Sequence, residues 1–215
     1  MKKFWKKTSL FLVTAAMTVS APLMAWALEH DIVILHTNDI HCGINDNIGF
    51  AGLAQIKKDA LARTPNVALV DAGDAIQGAP IGKLSRGLAV VDIMNYLGYD
   101  FCIPGNHEFD YGMDRFMELV PLQRAGYYCA NLVYAGNNKQ VLPGYKIMQY
   151  EDTKVAFVGA STPESLTTST PTFFQNEKGQ YIYSFCEDKS GNKLYKQLQK
   201  NVDKARKDGA DYVFI

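Results

Sequence analysis

The stretch that most constrains the fold is Gly105–Asp110 (GNHEFD), which follows a short apolar run at 99–104. Four of the five residues after Gly105 carry an amide, an imidazole or a carboxylate. A protein core disfavours this density, because each polar group would need a buried hydrogen-bonding partner. A loop at the end of a strand, facing a metal ion or a substrate, accommodates it. The sequence therefore predicts that GNHEFD is a loop at a functional site.

Strand-length apolar runs alternate with amphipathic segments along the first half of the chain. The runs at 31–36, 66–70 and 99–103 are predicted to be buried strands. The apolar residues of 52–63 and 88–97 recur at helical spacing, which predicts helices there. This alternation predicts an α/β domain, in which ligands gather at the carboxyl ends of the strands.

The second half of the chain carries further helix and strand patterns. The predicted elements there are a helix at 111–120, a strand at 127–132, a hairpin of 146–150 and 154–158, a helix at 192–208 and a strand at 211–215. The polar and aromatic segment 167–191 has no clear periodicity and is predicted to form loops and short edge strands.

Each of the first three strands runs into a cluster of polar residues. Asp39 and His41 follow the first strand, Asp74 follows the second, and Asn106 follows the third. Asp39 and His41 are two residues apart, so in an extended chain both side chains point the same way. Carboxylate, imidazole and amide oxygen together suit Mn, Fe, Zn or Mg. The sequence therefore predicts one metal site built from three loops.

Each of these residues alone also has an ordinary structural interpretation. Asp39 and Asp74 would be turn or cap residues, and His41 would be a plain polar or buried histidine. The conjunction of DxH, GD and GNHE in this order, each after an apolar run, favours the metal site.

The balance of charge excludes one class of partner. The chain has 22 basic and 22 acidic residues, which gives no electrostatic case for binding nucleic acid. Its 215 residues, 47% of them hydrophobic, fit one globular domain with a sizeable core.

Residues 1–27 have the pattern of a secretory signal peptide. Four lysines precede an apolar segment at 10–19, and Ala25–Ala27 makes an A-x-A cleavage site. A membrane anchor would need about 20 apolar residues, and this run is shorter and interrupted by polar residues and proline. The sequence therefore predicts an exported protein without a transmembrane anchor, found in the periplasm, at the cell surface or in the medium.

The four cysteines, Cys42, Cys102, Cys129 and Cys186, leave their pairing open. Export permits disulfides, and four cysteines allow three full pairings, none of which the spacing selects. No CxxC motif is present, which argues against a thiolate zinc site. Cys102 and Cys129 lie in apolar runs and are predicted to be buried hydrophobic residues rather than a redox pair.

The motifs HTNDIH, DAGDAIQG and GNHEFD resemble the first three blocks of the calcineurin-like metallophosphoesterases. GASTPES at 159–165 resembles the 5'-nucleotidase branch of that family. The resemblance covers most of residues 28–215 and implies the N-terminal portion of a β-sandwich flanked by helices, a four-layer αββα fold. It also implies two divalent metal ions, of Zn, Mn, Fe, Mg or Co.

The resemblance implies a role for six residues by position in the motifs. Asp39 and His41 would bind the first metal ion, Asp74 would bridge the two ions, Asn106 would bind the second, and His107 and Asp110 would be the catalytic pair.

Charge explains the catalytic pair that the resemblance implies. A protonated His107 would stabilise the phosphoryl charge or protonate the leaving oxygen. Asp110 would hold that imidazole in one tautomer and raise its pKa. Asp110 would serve alternatively, or in addition, as a cap on the helix that follows. Glu108 is expected to support the metal ligands rather than bind metal itself.

The chain departs from the family pattern at its C-terminal side. Members have further metal-binding histidines after a strand like the one predicted at 211–215, and these are absent here. We therefore expect a truncated domain whose metal centre is incomplete and which is inactive by itself.

The main functional hypothesis is an exported phosphohydrolase acting on small nucleotides, as a 5'-nucleotidase or a nucleotide-sugar hydrolase. Cyclic-nucleotide phosphodiesterase and sulfur-compound hydrolase activities are also compatible with the same scaffold. A non-catalytic exported binding or surface protein that retains the scaffold is the hypothesis from another class. The oligomeric state stays open.

Overall fold

In the computed structural model, which describes residues 31–215, strands and helices alternate through the N-terminal half. The strands are β1 (Val33–Thr37), β2 (Val67–Asp71), β3 (Phe101–Cys102), β4 (Val133–Tyr134), β5 (Tyr145–Tyr150), β6 (Thr153–Val158), β7 (Tyr183–Ser184) and β8 (Tyr212–Phe214). The helices are α1 (Gly49–Leu61), α2 (Pro80–Ser85), α3 (Leu88–Leu97), α4 (Met113–Leu119), α5 (Ser165–Thr168) and α6 (Asn192–Lys207). The signal peptide predicted at 1–27 lies outside the described residues.

The first sheet consists of β1, β2 and β3, which run parallel in that order. Successive residues of β2 face opposite sides of this sheet, as the pleat of a strand requires. Leu69 belongs to the same apolar cluster as Val90 and Met94 of α3, whereas Ala68 belongs to a second cluster that contains Phe157 of β6. The sheet is therefore covered by helices on one face and by a second sheet on the other.

The second sheet, with strand order β5-β6-β8, completes the layers. Phe157 of β6 faces the first sheet, and the neighbouring Ala156 packs against Ala205 of α6. Helices, two face-to-face sheets and a further helix thus follow one another, and the predicted α/β fold is confirmed. No helix among residues 31–215 is both long enough and apolar enough to cross a membrane.

The strand predicted at 127–132 is wrong over most of its length. Tyr127 forms a single parallel bridge to Cys102 at the edge of the first sheet. The backbone then leaves that sheet, because the amide of Cys129 donates to the carbonyl of Pro143 at 2.9 Å. A regular strand, β4, begins only at Val133.

Other boundaries differ for local reasons. The helix predicted at 111–120 begins at Met113, because Gly112 has φ 92° and ψ 151°, outside the helical region. The short α2 was not predicted; Pro80 at its first position suits a helix start. The predicted helix 192–208 matches α6 to within one residue, and the segment 167–191 contains only short elements, as expected.

All four cysteines lie in the described residues, and all are free thiols. Cys102 and Cys129 are fully buried, which confirms that they are core residues. None of the three pairings that the sequence left open is formed.

The GNHEFD motif is anchored in the core by Phe109. This side chain is completely buried, and its ring lies 4.9 Å from the ring of Phe116, 5.2 Å from that of Phe174 and 5.6 Å from that of Phe185, each measured between centroids. Edge-to-face aromatic contacts of this kind stabilise beyond the burial of area. The functional loop is therefore attached to the centre of the main apolar cluster.

We predict that Phe109→Ala lowers the free energy of unfolding by about 3–5 kcal/mol, because it leaves a cavity among packed rings. Urea denaturation followed by circular dichroism measures the change. Tyr96→Ala, at a side chain that is 91% exposed, is the control and should alter stability by no more than about 0.5 kcal/mol. Equal effects of the two substitutions would contradict the anchoring role.

Candidate metal centre

The loops that follow β1 and β2 continue to hydrogen-bond beyond the ends of the strands. The amide of Asp39 donates to the carbonyl of Gly73 at 3.0 Å, and the amide of His41 donates to the carbonyl of Asp74 at 2.9 Å. Because the two strands are parallel, both loops leave from the same edge of the sheet. This pairing places the first two polar clusters side by side.

Three of the predicted site residues have left-handed backbone geometry. Asp39 has φ 52°, His41 has φ 47° and Asp74 has φ 59°. The assumption that the chain is extended from Asp39 to His41 is therefore wrong. The two side chains still meet, with Asp39 Oδ1 3.8 Å from His41 Nε2. Non-glycine residues in this region are strained, and such strain is concentrated at functional sites.

The third loop joins the other two through Asp74. The amide of His107 donates to Asp74 Oδ1 at 2.7 Å. Gly73, with φ 102°, allows the two loops to approach each other. A Cβ atom at this position would lie 2.5 Å from the nitrogen of Gly105 and would clash with it. The loops after β2 and β3 are therefore in direct backbone contact at the site.

His41, Asp74 and His107, one from each loop, form a cluster suited to a cation. One potential ligand atom from each lies within 4.8 Å of those of the other two. The rings of His41 and His107 are 4.9 Å apart between centroids, at an angle of 72°. Two imidazoles and a carboxylate suit zinc, manganese or iron. The donor set present thus fits a divalent metal ion.

The remaining predicted ligands lie around this cluster. Asp39 adjoins it through His41, and Asn106 immediately precedes His107. The side-chain amide of Asn106 is half-buried and makes no hydrogen bond within residues 31–215, so its oxygen is available to a ligand. The structure therefore brings His41 and Asp74 together with His107 and places Asp39 beside His41, and Asn106 is the residue next to His107 in the chain.

His107 is backed by a carboxylate and a hydroxyl. Its Nδ1 lies 2.6 Å from Asp110 Oδ2, and the Ser169 hydroxyl donates to Asp110 Oδ1 at 3.3 Å. Burial by itself lowers the pKa of His107. The hydrogen bond and charge of Asp110, with the charges of Asp74 and Glu108, outweigh burial and raise that pKa above its usual value.

The alternative that Asp110 caps the following helix is wrong. The residue that precedes α4 is Gly112, and no side chain caps that helix end. Asp110 instead uses both carboxylate oxygens on His107 and Ser169. Its place behind the imidazole was predicted, and Ser169 was not, because 59 residues separate it from Asp110 in the chain.

Glu108 lies beneath the site, with 1% of its surface exposed. Its carboxylate accepts hydrogen bonds from backbone amides of both the β2 loop and the β3 loop. Burial raises the pKa of its carboxyl group, and these amide hydrogen bonds oppose that shift. Its position agrees with the expected supporting role.

Asp71, the first residue of DAGD, is a buried member of the site that sequence reasoning missed. Its carboxylate accepts a hydrogen bond from the hydroxyl of Thr37 at 2.7 Å and another from the amide of Gly73 at 3.1 Å. The hydroxyl of Tyr99 lies 2.9 Å from that of Thr37. Burial, followed by the charge of Glu108, holds the pKa of Asp71 well above its usual value. A carboxylate as the last residue of a buried strand was the signal available.

A cavity of about 410 Å³ opens beside the Asp39 and His41 end of the cluster. Its polar wall includes these two side chains, and its apolar wall includes Ile48, Phe50 and Leu53 at the start of α1. All of its lining comes from residues 36–53, so it adjoins the metal cluster without enclosing it.

The fold and the three motif loops agree with the comparison to known families. Residues 32–214 match the model of the calcineurin-like phosphoesterases. The chain belongs to the calcineurin-like phosphoesterase family, whose members use divalent metal ions.

Within this family the chain is similar to 5'-nucleotidases. It is 32% identical to the 5'-nucleotidase of Rattus norvegicus over 181 residues, which is 73% of this chain and 30% of that protein. The chain spans about a third of the length of the curated relatives that it matches.

Two solved structures have the same fold over most of the chain. The calcineurin-like phosphoesterase YfkN of Bacillus subtilis has a TM-score of 0.71 and 25% identity, covering 85% of this chain and 60% of that one. The sulfate thiohydrolase SoxB of Thermus thermophilus has a TM-score of 0.66 and 29% identity, covering 77% of this chain and 29% of that one.

We predict that Asp110→Asn lowers the pKa of His107, because it removes the charge that favours the imidazolium. A folded-state pKa raised above the unfolded value of 6.5 stabilises the protein below pH 6.5, and this contribution is lost as the pH rises through the folded-state pKa. Titration of the His107 ring protons by NMR in metal-free protein measures the shift. Asp114→Asn, at an exposed carboxylate in the first turn of α4, should leave that pKa unchanged; equal titration curves for both variants would contradict the role of Asp110.

We predict that Asp71→Asn flattens the pH dependence of stability in metal-free protein. A buried acid with a raised pKa binds its proton more tightly when folded. The wild-type free energy of unfolding therefore falls as the pH rises from about 3.9, the unfolded value, towards the folded-state pKa. Asparagine cannot ionise; its oxygen can accept from the amide of Gly73, and its NH₂ group can donate to the hydroxyl of Thr37, which reverses that hydrogen bond. Urea denaturation between pH 4 and pH 8, with exposed Asp92→Asn as control, tests this; a slope unchanged from wild type would refute it.

Proposed function

We propose that the protein is an exported, metal-dependent phosphohydrolase that releases phosphate from small nucleotides, as a 5'-nucleotidase. The observation that carries this proposal is the meeting of His41, Asp74 and His107, one from each strand end, within 4.8 Å. The relatives that bear the name 5'-nucleotidase support the choice of substrate class. The predicted signal peptide at 1–27 supports export.

The proposed metal centre has two divalent ions. Asp39 and His41 would hold the first ion, Asp74 would be shared by both ions, and Asn106 would hold the second. When bound, two dications supply the charge that neutralises the phosphate oxygens and lowers the pKa of an attacking water. Asp74 can serve both ions because the amide of His107 occupies only one of its carboxylate oxygens.

His107, the third member of the cluster, is proposed as the catalytic acid, the role that the family resemblance implies, rather than as a metal ligand. Its Nδ1 donates to Asp110, which leaves Nε2 free to face the phosphate. The hydrogen bond and the charge of Asp110 raise the pKa of His107, which favours the imidazolium form. It can then donate from Nε2 to a phosphoryl oxygen or to the leaving 5'-oxygen. Asp110, held by Ser169, keeps the ring in the required tautomer and orientation.

A second candidate is hydrolysis of a sulfur compound. The likeness to the sulfate thiohydrolase SoxB, at 29% identity and a TM-score of 0.66, favours it over cyclic-nucleotide phosphodiesterase activity. Parallel assays with AMP, a nucleotide sugar and a thiosulfate ester separate the nucleotidase from the sulfur-compound hydrolase.

We predict that AMP hydrolysis by the purified full-length protein is abolished by EDTA and restored by Mn²⁺ or Zn²⁺. His107→Ala should lower kcat by about 10²–10⁴-fold, which is the usual contribution of a general acid. Release of inorganic phosphate measures both effects.

Tyr195→Ala provides the matched control, because it truncates an exposed aromatic side chain on α6, away from the three loops. It should leave kcat unchanged. Absence of metal-dependent phosphate release from every substrate would overturn the proposal and favour the non-catalytic binding protein.

A further inference from the structure

The Glu108 carboxylate is the acceptor for four backbone amides that come from two loops. Oε2 accepts from Asp74 at 2.8 Å and from Gly105 at 2.7 Å. Oε1 accepts from Ala75 at 2.8 Å and from Ile76 at 3.4 Å. One side chain thus connects the start of the β3 loop to three successive residues of the β2 loop.

The connection is reciprocal. Glu108 of the β3 loop accepts from the amide of Asp74, and Asp74 of the β2 loop accepts from the amide of His107. Each loop therefore supplies a carboxylate to the backbone of the other. This arrangement fixes their separation, and it also fixes which oxygen of Asp74 remains available to a cation.

The strained backbone of Asp74 requires the hydrogen bonds of Glu108 and Asp74, which together we call the clamp. Asp74 has φ 59°, a conformation that costs free energy for a non-glycine residue and persists only where its surroundings hold it. The hydrogen bonds to the amides of Asp74 and Ala75 oppose relaxation of that backbone. Their acceptor is the carboxylate of Glu108, a residue that is 1% exposed, and hydrogen bonds are stronger in such buried surroundings.

The clamp also matters because β3 is short. Only two residue pairs join β2 to β3, Val70 with Phe101 and Asp71 with Cys102. A ladder of this length aligns the strands but not the loops beyond them. Beyond the ladder, the hydrogen bonds of Glu108 and Asp74 join the two loops directly.

We propose that Glu108 is a positioning residue of the metal centre: its carboxylate sets the Asp74 and His107 loops in their metal-binding geometry before any ion arrives. This inference rests on the proposed function, since it assumes that Asp74 binds metal. Glu108 contacts neither ion nor substrate and acts through the backbone of Asp74 and Gly105.

The proposal predicts a specific defect in Glu108→Gln. Glutamine keeps the volume but has one acceptor oxygen, so its NH₂ group must face two amide donors, either those of Asp74 and Gly105 or those of Ala75 and Ile76. We expect the dissociation constant for Mn²⁺, measured by calorimetry, to rise about 10–100-fold, as is usual for residues that orient metal ligands. The rise in Tm on adding Mn²⁺ should shrink accordingly.

A purely structural role gives a different result. It would lower the Tm of the metal-free and the Mn²⁺-loaded protein equally and leave Mn²⁺ affinity intact, which would overturn the proposal. Glu118→Gln makes the same chemical change at an exposed side chain that pairs only with Arg115 within residues 31–215. Glu118→Gln should change neither the dissociation constant for Mn²⁺ nor the rise in Tm on adding Mn²⁺.

Hydrogen exchange of the wild-type protein keeps the proposal testable if Glu108→Gln does not fold. The amides of Asp74, Ala75 and Gly105 should be protected without metal, because Glu108 already holds them. Rapid exchange that slows only on adding Mn²⁺ would refute prior positioning.

The outcomes also separate this inference from the function on which it rests. Failure of the wild-type protein to bind Mn²⁺ would contradict the metal centre itself. Wild-type binding with equal binding by Glu108→Gln would contradict only the role of Glu108.

Discussion

The exchange of carboxylates between two neighbouring loops is the interaction on which the site depends. Glu108 and Asp74 each accept a backbone amide from the loop of the other. The sheet below supplies direction, since parallel strands open all three loops at one edge. It does not supply position, because β3 contributes only two residues to the ladder. Hydrogen bonds to the side chains of Glu108 and Asp74 therefore help to position the loops beyond the short strand.

The residues of GNHEFD differ in which way their side chains point. Within residues 107–109, which form a 3₁₀ turn, Glu108 and Phe109 point inward and are buried. Phe109 joins the aromatic cluster, and Glu108 binds the neighbouring loop. Asn106, His107 and Asp110 are left partly exposed on the side where chemistry can occur. The loop that looked overcrowded with polar groups thus consists of two buried anchors and three partly exposed polar side chains.

Periodicity and strand-end polarity were sufficient to predict the α/β fold and to place Asp39, His41, Asp74 and Asn106 at one edge of a sheet. They could not predict the left-handed backbone of Asp39 and His41, because a two-residue spacing carries no information about φ. The hydrogen bonds of Glu108 to the backbone could not be predicted either, because every residue except proline has a backbone amide that can donate. Apolar residues at 127–132 predicted a strand, but burial alone does not determine where the amides there find acceptors.

The four free thiols have a consequence for how this chain can be produced and handled. Cys102 and Cys129 are fully buried, and burial raises the pKa of Cys42 and of Cys186 to about 11. Thiols with so little thiolate at neutral pH react slowly with disulfides and oxidants. Residues 31–215 therefore contain no disulfide that a reductant could break, and a reducing agent should leave their folded stability unchanged.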